Sequence, residues 1–373
     1  MKEYKRLGNY IREVNVRNRE LEVTKPMGIN INKHFMPSVA NVIGTDLSTY
    51  KLVSKTQFAC NLMHVGRDEK IPMAMHTEDS PIIVSPAYFV FEIINTNLLL
   101  PEYLMMWFHR PEFDRNAWFY TDADVRGGMD KNSLMDMTLP IPSIERQREI
   151  VTEYETLTRR IHLNEQIIQH LESTAQSLYR KMFVDGIDKE NLPEGWRIGT
   201  LSEFANITMG QSPDGETYNL EGDGTIFYQG RTDFGRRFPT ARVYTTSPTR
   251  YAKEGDILLS VRAPVGDINI APHNCCIGRG LASLRSKNNF HSYLYYQLLN
   301  LSNVFNVSDD EGTIFGSINK DDLYNIEIVI PTYMKMERFE NIASAIDNNL
   351  QLKDIEINYL EKLQSLLLAK MGK

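Results

Sequence analysis

The sequence predicts an α/β (α+β) fold class: two similar globular domains separated by two long antiparallel coiled-coil helices, a pseudo-twofold internal repeat. Two observations predict it. Apolar residues spaced alternately four and three apart form one long run that occurs twice, about 189 residues apart, in the same register and without a gap. Each run is preceded by a segment that reads as an edge strand closed by proline, and the blocks between these anchors differ almost completely. A unit of that length is too long for a solenoid.

The first helix carries Ile150, Tyr154, Leu157, Ile161, Asn164, Ile168, Leu171, Ala175, Leu178 and Met182 along one seam. The second carries Phe339, Ala343, Ile346, Leu350, Lys353, Ile357, Leu360, Gln364, Leu367 and Met371. A 4-3 spacing is the seam of a coiled coil, and a single polar seam residue fixes register at a cost in stability; Asn164 and Lys353 occupy the same place in the two copies. From Ile144 to Phe183 such a helix runs about 40 residues, roughly 60 Å.

Upstream, Ser133–Pro142 aligns with Asp322–Pro331 as the proline-closed strand. Tyr103-Leu104 aligns with Tyr293-Leu294 inside short amphipathic helices, and Leu7-Gly8 with Leu201-Ser202 at the start of each copy. The boundaries that follow are a first domain over 1–143, a long helix over 144–185, a second domain over 186–332 and a second long helix over 333–373.

Length and composition fit this division. A chain of 373 residues, 42% hydrophobic and 24% charged, can bury two ordinary cores. The longest apolar stretch, Ile82 to Leu100, is interrupted by Ser85, Pro86, Glu92 and several Asn, so no membrane span is expected. Met1–Arg6 is followed by no apolar signal region, which argues for the cytoplasm. Cys60, Cys275 and Cys276 supply neither a disulfide framework nor a zinc site and read as reduced fillers. The formal net charge is −7. Even so, one basic stretch runs through Arg231, Arg236, Arg237, Arg242, Arg250, Lys253 and Arg262, and another through Lys2, Lys5, Arg6, Arg12, Arg17, Arg19, Lys25 and Lys33. A local field of this kind can coexist with an acidic remainder.

Catalytic signatures are absent. There is no glycine-rich cofactor loop with a proline-rich tetrad, no Walker motif and no HExxH pair. Glu254–Arg262 places acids before a strand but lacks the second acid and lysine that a two-metal nuclease needs, and reads as a turn feeding a buried strand. Gly278-Arg279-Gly280 alone is too short to signify a phosphate loop. No catalytic residue and no metal ligand set is expected.

Several fragments together resemble the specificity subunits of type I restriction-modification systems. Leu192-Pro193-Glu194-Gly195-Trp196-Arg197, followed by Leu201-Ser202-Glu203-Phe204, is similar to the start of a target recognition domain in that family. Pro140–Ile150 resembles its junction with the conserved central helix, Gly255–Ser260 its core strand, and Leu171–Met182 with Leu360–Met371 its helix ends. Two departures stand out: Pro331–Arg338 lacks the usual Glu-Gln pair, and Lys55–Ala59 replaces Glu254–Leu258, which assigns the two domains to different subtypes with different DNA targets.

The resemblance implies two target recognition domains on double-stranded DNA, a bipartite target, and no catalysis by this chain. It implies two methylation subunits that bring S-adenosylmethionine and methylate adenine N6, and two restriction subunits that bring ATP and Mg. It also places the end of the second helix near the first domain. Helix length then acts as a ruler for the gap between the two blocks, since a DNA turn is about 34 Å.

In the second domain the expected DNA contacts are Gln211, Arg231, Thr232, Arg236, Arg237 and Arg262, from polar or Gly-rich loops beside strands. In the first they are Lys33, His64, Arg67, Arg126 and Lys131, with a loop salt bridge an equal alternative for Arg67 and Arg126. The seam residues Ile150, Leu157, Ile161, Asn164, Ile168, Leu171, Leu178, Phe339, Ile346, Leu350, Lys353, Ile357, Leu360 and Leu367 are expected to join the helices. The competing reading is a non-catalytic coiled-coil scaffold with two protein-binding domains.

Overall fold

The computed structural model describes residues 4–39, 44–63, 65–121, 127–307 and 317–372. Two compact units emerge, Met1–Glu165 with Ile355–Lys373, and Gln166–Asp354. The first holds strands β1 (Tyr4–Arg6), β2 (Ile11–Glu13), β3 (Pro26–Ile29), β4 (Phe35–Pro37), β5 (Lys51–Val53), β6 (Phe58–Cys60), β7 (Met73–Met75), β8 (Ile82–Val84), β9 (Phe89–Ile93) and β10 (Thr138–Pro140). Its short helices are α1 (Val65–Asp68), α2 (Pro101–Phe108), α3 (Pro111–Phe119) and α4 (Lys131–Asp136). The long helix α5 (Ile144–Phe183) follows.

The second unit holds β11 (Arg197–Thr200), β12 (Ala205–Met209), β13 (Tyr218–Asn219), β14 (Thr225–Tyr228), β15 (Val243–Thr245), β16 (Tyr251–Ala252), β17 (Ile257–Ser260), β18 (Ile268–Ile270), β19 (Cys275–Ile277), β20 (Leu281–Ser286) and β21 (Glu327–Ile330). Its short helices are α6 (Leu201–Phe204), α7 (His291–Val307) and α8 (Lys320–Tyr324), and the chain continues into the long helix α9 (Tyr333–Met371).

Both long helices start where the sequence places them. Proline precedes each: after Pro142 the Ser143 hydroxyl accepts the Arg146 N–H at 3.3 Å, and after Pro331 the Thr332 carbonyl accepts the N–H groups of Lys335 and Met336 at 3.1 Å. Gly186, at φ +73°, stops α5. Every seam position is buried or half-buried.

The helices run antiparallel in each unit. In the first, Arg160 pairs with Glu356 at 2.6 Å and Gln364 donates to the Thr158 hydroxyl at 2.7 Å. In the second, Tyr179 and Phe183 pack edge-on against a fully buried Phe339. Asn164 is buried with both amide atoms unpartnered among the described residues, which is the polar interruption seen in the seam.

Each domain is built in layers dictated by period-2 burial. In β17, Ile257 and Leu259 enter the core shared with α7 and the long helices, while Leu258 meets Tyr228, Ala271 and Ile277 beneath a second sheet. With both faces covered the strand reads as an unbroken apolar run. β6 does the same: Phe58 and Cys60 turn to the helices, Ala59 to Val53, Val84 and Val90.

The first sheets have the orders β2-β9-β6-β7 and β12-β20-β17-β18, and the second sheets β4-β3-β8-β5 and β13-β15-β14-β19-β16. Apart from the added β13 these match strand for strand, including one parallel pair in each, β3 with β8 and β14 with β19. The sequence-divergent block before β6 keeps the backbone of its counterpart. Thr56, at φ +64°, donates to the His76 carbonyl at 2.8 Å, and Gly255, at φ +80°, donates to that of Ala271 at 2.9 Å. The two blocks thus differ in side chains on a common fold.

The anchors repeat as hydrogen bonds. Leu7 N–H reaches the Met137 carbonyl at 2.8 Å and Leu201 N–H that of Ile326 at 2.9 Å. The Tyr103 hydroxyl reaches the Pro140 carbonyl at 3.0 Å and the Tyr293 hydroxyl that of Val329 at 3.1 Å. The predicted edge strands are β10 and β21, paired with β1 and β11. They are shorter than expected, because Ser133–Asp136 and Asp322–Tyr324 belong to α4 and α8, capped by Asp130 and Asn319.

The end of α9 docks on the first domain: Leu368 and Met371 join its core, and the Tyr4 hydroxyl donates to the Gly372 carbonyl at 2.8 Å. All three cysteines are free and buried. Among the described residues no helix is long and apolar enough to cross a membrane.

Candidate nucleic-acid interface

In the second unit, exposed cations gather where β12, β14, β19 and β20 approach one another. Glycine permits the approach. A Cβ on Gly210 would lie 2.2 Å from the Gly278 carbonyl oxygen, and one on Gly278 or Gly280 would lie 2.8 or 3.0 Å from that of Gln229.

Backbone bonds stitch the crossing. Gln211 N–H donates to the Ile277 carbonyl at 3.0 Å, Gly278 N–H to Tyr228 at 2.8 Å, Ile277 N–H to Arg250 at 2.9 Å and Val261 N–H to Gly280 at 2.9 Å. The Thr249 hydroxyl closes it on the Gln211 carbonyl at 2.5 Å. Gln211, Arg250, Arg262 and Arg279 are all exposed and lie on or beside the residues that make these contacts, and the exposed Arg231 follows Gln229 by two residues. Arg250, Arg262 and Arg279 have no side-chain partner among the described residues.

The expected contacts fare differently. Arg231 is exposed and pairs with the half-buried Asp267 at 2.5 Å, a surface bridge of about 0–1 kcal/mol that a phosphate can displace. Thr232 is exposed and its carbonyl accepts from Arg242 at 2.9 Å. Arg236 is exposed.

Arg237 is corrected: it is 4% exposed, paired with Asp347 at 2.5 Å and laid over the Tyr295 ring at 4.1 Å, so it ties its loop to α9 and presents nothing to DNA. Lys33 is corrected likewise. Its Nζ is buried, bonded to Asp114 at 2.7 Å and the Ile71 carbonyl at 2.8 Å, and burial lowers its pKa despite the opposing carboxylate. Lys131 is exposed but engaged, with Glu13 at 2.6 Å and over the Phe89 ring at 5.5 Å. His64 and Arg126 lie outside the described residues, as does the side chain of Arg67, which sits in α1.

Much of the first domain's basic stretch is spent inside the domain. Arg6 pairs with Asp136 and Arg12 with Glu92, while Arg17 donates to the Thr49 carbonyl.

Residues 193–363 match the type I restriction modification DNA specificity domain. MjaX of Methanocaldococcus jannaschii, assigned as a type I restriction enzyme specificity subunit, is 28% identical over 92% of this chain and 83% of its own length. Over most of its length the chain is thus similar to type I restriction-modification specificity subunits. The HindI specificity subunit of Haemophilus influenzae is 31% identical over 139 residues, 36% of this chain and 30% of that one. In fold, the S subunit from M. genitalium superposes with a TM-score of 0.65 at 13% identity, over 100% of this chain and 96% of that one.

The Pro193–Trp196 fragment has a framing role. Trp196 N–H closes a turn on the Pro193 carbonyl at 3.0 Å, Gly195 takes φ +76°, and the indole packs on Phe183 with Lys335 above it at 5.5 Å. Gln147 and Glu340 play matched parts one helical turn apart in the repeat. Gln147 accepts the Leu100 N–H at 2.9 Å at the start of α2, and Glu340 accepts those of Ser292 and Tyr293 at 3.0 and 2.9 Å at the start of α7. Burial raises the Glu340 pKa against those two bonds.

Sequence reasoning missed Arg250 and Arg279 as contacts. The signal for Arg279 was present in its two flanking glycines, which leave an arginine standing alone at the tip of a turn.

Proposed function

We propose that this chain chooses the DNA sequence for a type I restriction-modification complex, one target block per domain. The observation that supports this best is the repetition of one fold with matched hydrogen bonds and unmatched surfaces, which is what two readers of different sequences on one frame require. In the second domain Arg231, Arg250 and Arg262 hold phosphates, and side chains at the glycine crossing reach base edges. The chain contributes recognition and no catalytic group. Two methylation subunits supply S-adenosylmethionine and transfer the methyl group to adenine N6, and two restriction subunits supply ATP and Mg.

The long helices offer those subunits a place to bind. In the first unit a shallow apolar depression of about 460 Å³ is lined by Leu157, Leu363, Leu366 and Leu367, and Leu366 is 59% exposed. An apolar face this open on a helix pair fits a protein partner.

The test maps methylated adenines across the genome of cells carrying this chain with its methylation subunit, and again with Arg231→Ala. A two-block motif that depends on the chain, with methylation reduced evenly at all sites by Arg231→Ala and the motif itself kept, supports the reading. A methylation pattern indifferent to the chain refutes it.

A further inference from the structure

We infer that Arg279 is the base-reading arginine of the second domain, set at the tip of a turn whose counterpart in the first domain carries Pro86. This rests on the DNA-specificity reading and assigns a residue that decides the target within it.

Register establishes the equivalence. Phe58 pairs with Phe91 in the first domain as Ile257 pairs with Leu284 in the second, so the residues before these strands correspond one to one. Tyr88 N–H closes a turn on the Ser85 carbonyl at 3.0 Å, and Leu281 N–H closes the corresponding turn on Gly278 at 3.0 Å. Pro86 and Arg279 occupy the same position of the two turns, and both are exposed. A position that selects a sequence needs a backbone fixed by the frame and a side chain free to vary. These turns meet both conditions, and the substitution across them is from no donor to five.

Two features set Arg279 apart, one of them shared with Arg250 and Arg262: no facing carboxylate among the described residues, and a glycine on either side. Arg231, Arg242 and Arg285 each face a carboxylate, from Asp267, Asp233 and Asp256. Arg279 faces none among the described residues, and Gly278 and Gly280 put no side chain beside it. Its backbone is held on two sides: its own N–H donates to the Ser212 hydroxyl at 3.3 Å, and a Cβ on Gly280 would stand 3.2 Å from the Gly230 Cα. Gln211, Arg250 and Arg262 border the same crossing. A rigid turn tip bearing a fork of donors, flanked by cations for phosphates, matches bidentate recognition of guanine O6 and N7.

The experiment uses the full chain assembled with its methylation subunits, read by genome methylation mapping and by competition binding to duplexes changed at one base pair at a time. Arg279→Ala is expected to relax one guanine position in one block by roughly 5- to 150-fold in discrimination, leaving the other block unchanged. Arg279→Gln should shift preference there toward adenine. Arg250→Ala, a phosphate contact in this reading, should weaken all duplexes alike and reduce the slope of affinity against salt by about 1.

Uniform weakening by Arg279→Ala, or an unchanged motif, overturns the assignment while the DNA-specificity reading stands. A wild-type complex whose motif does not depend on this chain overturns both. Thermal unfolding of the variants guards against a folding defect, which the exposed side chain gives no reason to expect.

Discussion

Asp347 on α9 holds the buried Arg237, and its removal should unfold the second unit long before it affects any contact with DNA. Arg237 is 4% exposed, with Asp347 at 2.5 Å, the Tyr295 ring at 4.1 Å and an Nε that has no partner among the described residues. Asp347 also accepts the Tyr296 hydroxyl at 2.9 Å. Asp347→Ala leaves a buried guanidinium against the Tyr295 and Tyr296 rings with Glu172 as a remaining nearby carboxylate, and breaking a buried pair from one side costs about 3–5 kcal/mol. Replacing both partners by apolar residues of similar size, Arg237→Met with Asp347→Leu, removes the charge and the need for it, so the double variant should lie within about 1–2 kcal/mol of wild type.

Because the chain has two compact units, a single unfolding midpoint would mix them. Hydrogen exchange at residues 231–243 and 333–354 reports the second unit directly. Loss of protection there in the single variant and its recovery in the double variant are expected. If Asp347→Ala leaves protection within about 1 kcal/mol of wild type, the pair is not the tie described and Arg237 returns as a candidate for DNA.

Three further outcomes follow from the same kind of reasoning. Burial, with Lys33 and His34 nearby, lowers the His109 pKa to about 4; the unfolded chain then binds the extra proton, so stability of the first unit should fall as pH drops from about 6.5 and level off below about 4, by roughly 3 kcal/mol, a dependence that His109→Gln abolishes in denaturant titrations. Asn164→Leu replaces two buried, unpartnered polar atoms and should stabilise the first unit by about 1–2 kcal/mol; a loss of stability in thermal unfolding would mean that Asn164 has a partner such as buried water. Gly210→Ala sets a Cβ 2.2 Å from the Gly278 carbonyl and should destabilise the second unit by about 1–3 kcal/mol, with methylation lost at one block more than the other.

The frame was legible in the sequence to the extent that its signals are local. A 4-3 spacing with Asn164 and Lys353 in step identifies both helices, and Pro140 and Pro331 mark the strands that feed them. The common sheet topology was not legible, because Phe58-Ala59-Cys60 and Ile257-Leu258-Leu259 satisfy one burial pattern with no residue shared. Likewise Thr56 and Gly255 reach one left-handed turn from unlike side chains. Among candidate contacts, Lys33 and Arg237 read like Arg231 until the fold supplies Asp114, 81 residues away, and Asp347, 110 residues away. Arg279 gains its meaning from four segments that only tertiary structure brings together.

This division of labour bears on how such a chain changes its target. The bonds that define each domain run between backbone groups and a few buried anchors such as Tyr103 and Tyr293, so side chains at the turn tips vary without touching them. Stability and specificity are then carried by different residues, and a substitution at 86 or 279 costs little in folding free energy. Charge follows the same logic. With a formal net charge of −7, and many described cations engaged with carboxylates or carbonyls, the chain alone supplies little of the counterion release that drives affinity for DNA. Affinity in the proposed complex must then come largely from the partner subunits, and in that proposal the arginines at the glycine crossing that have no side-chain partner among the described residues decide where it is directed.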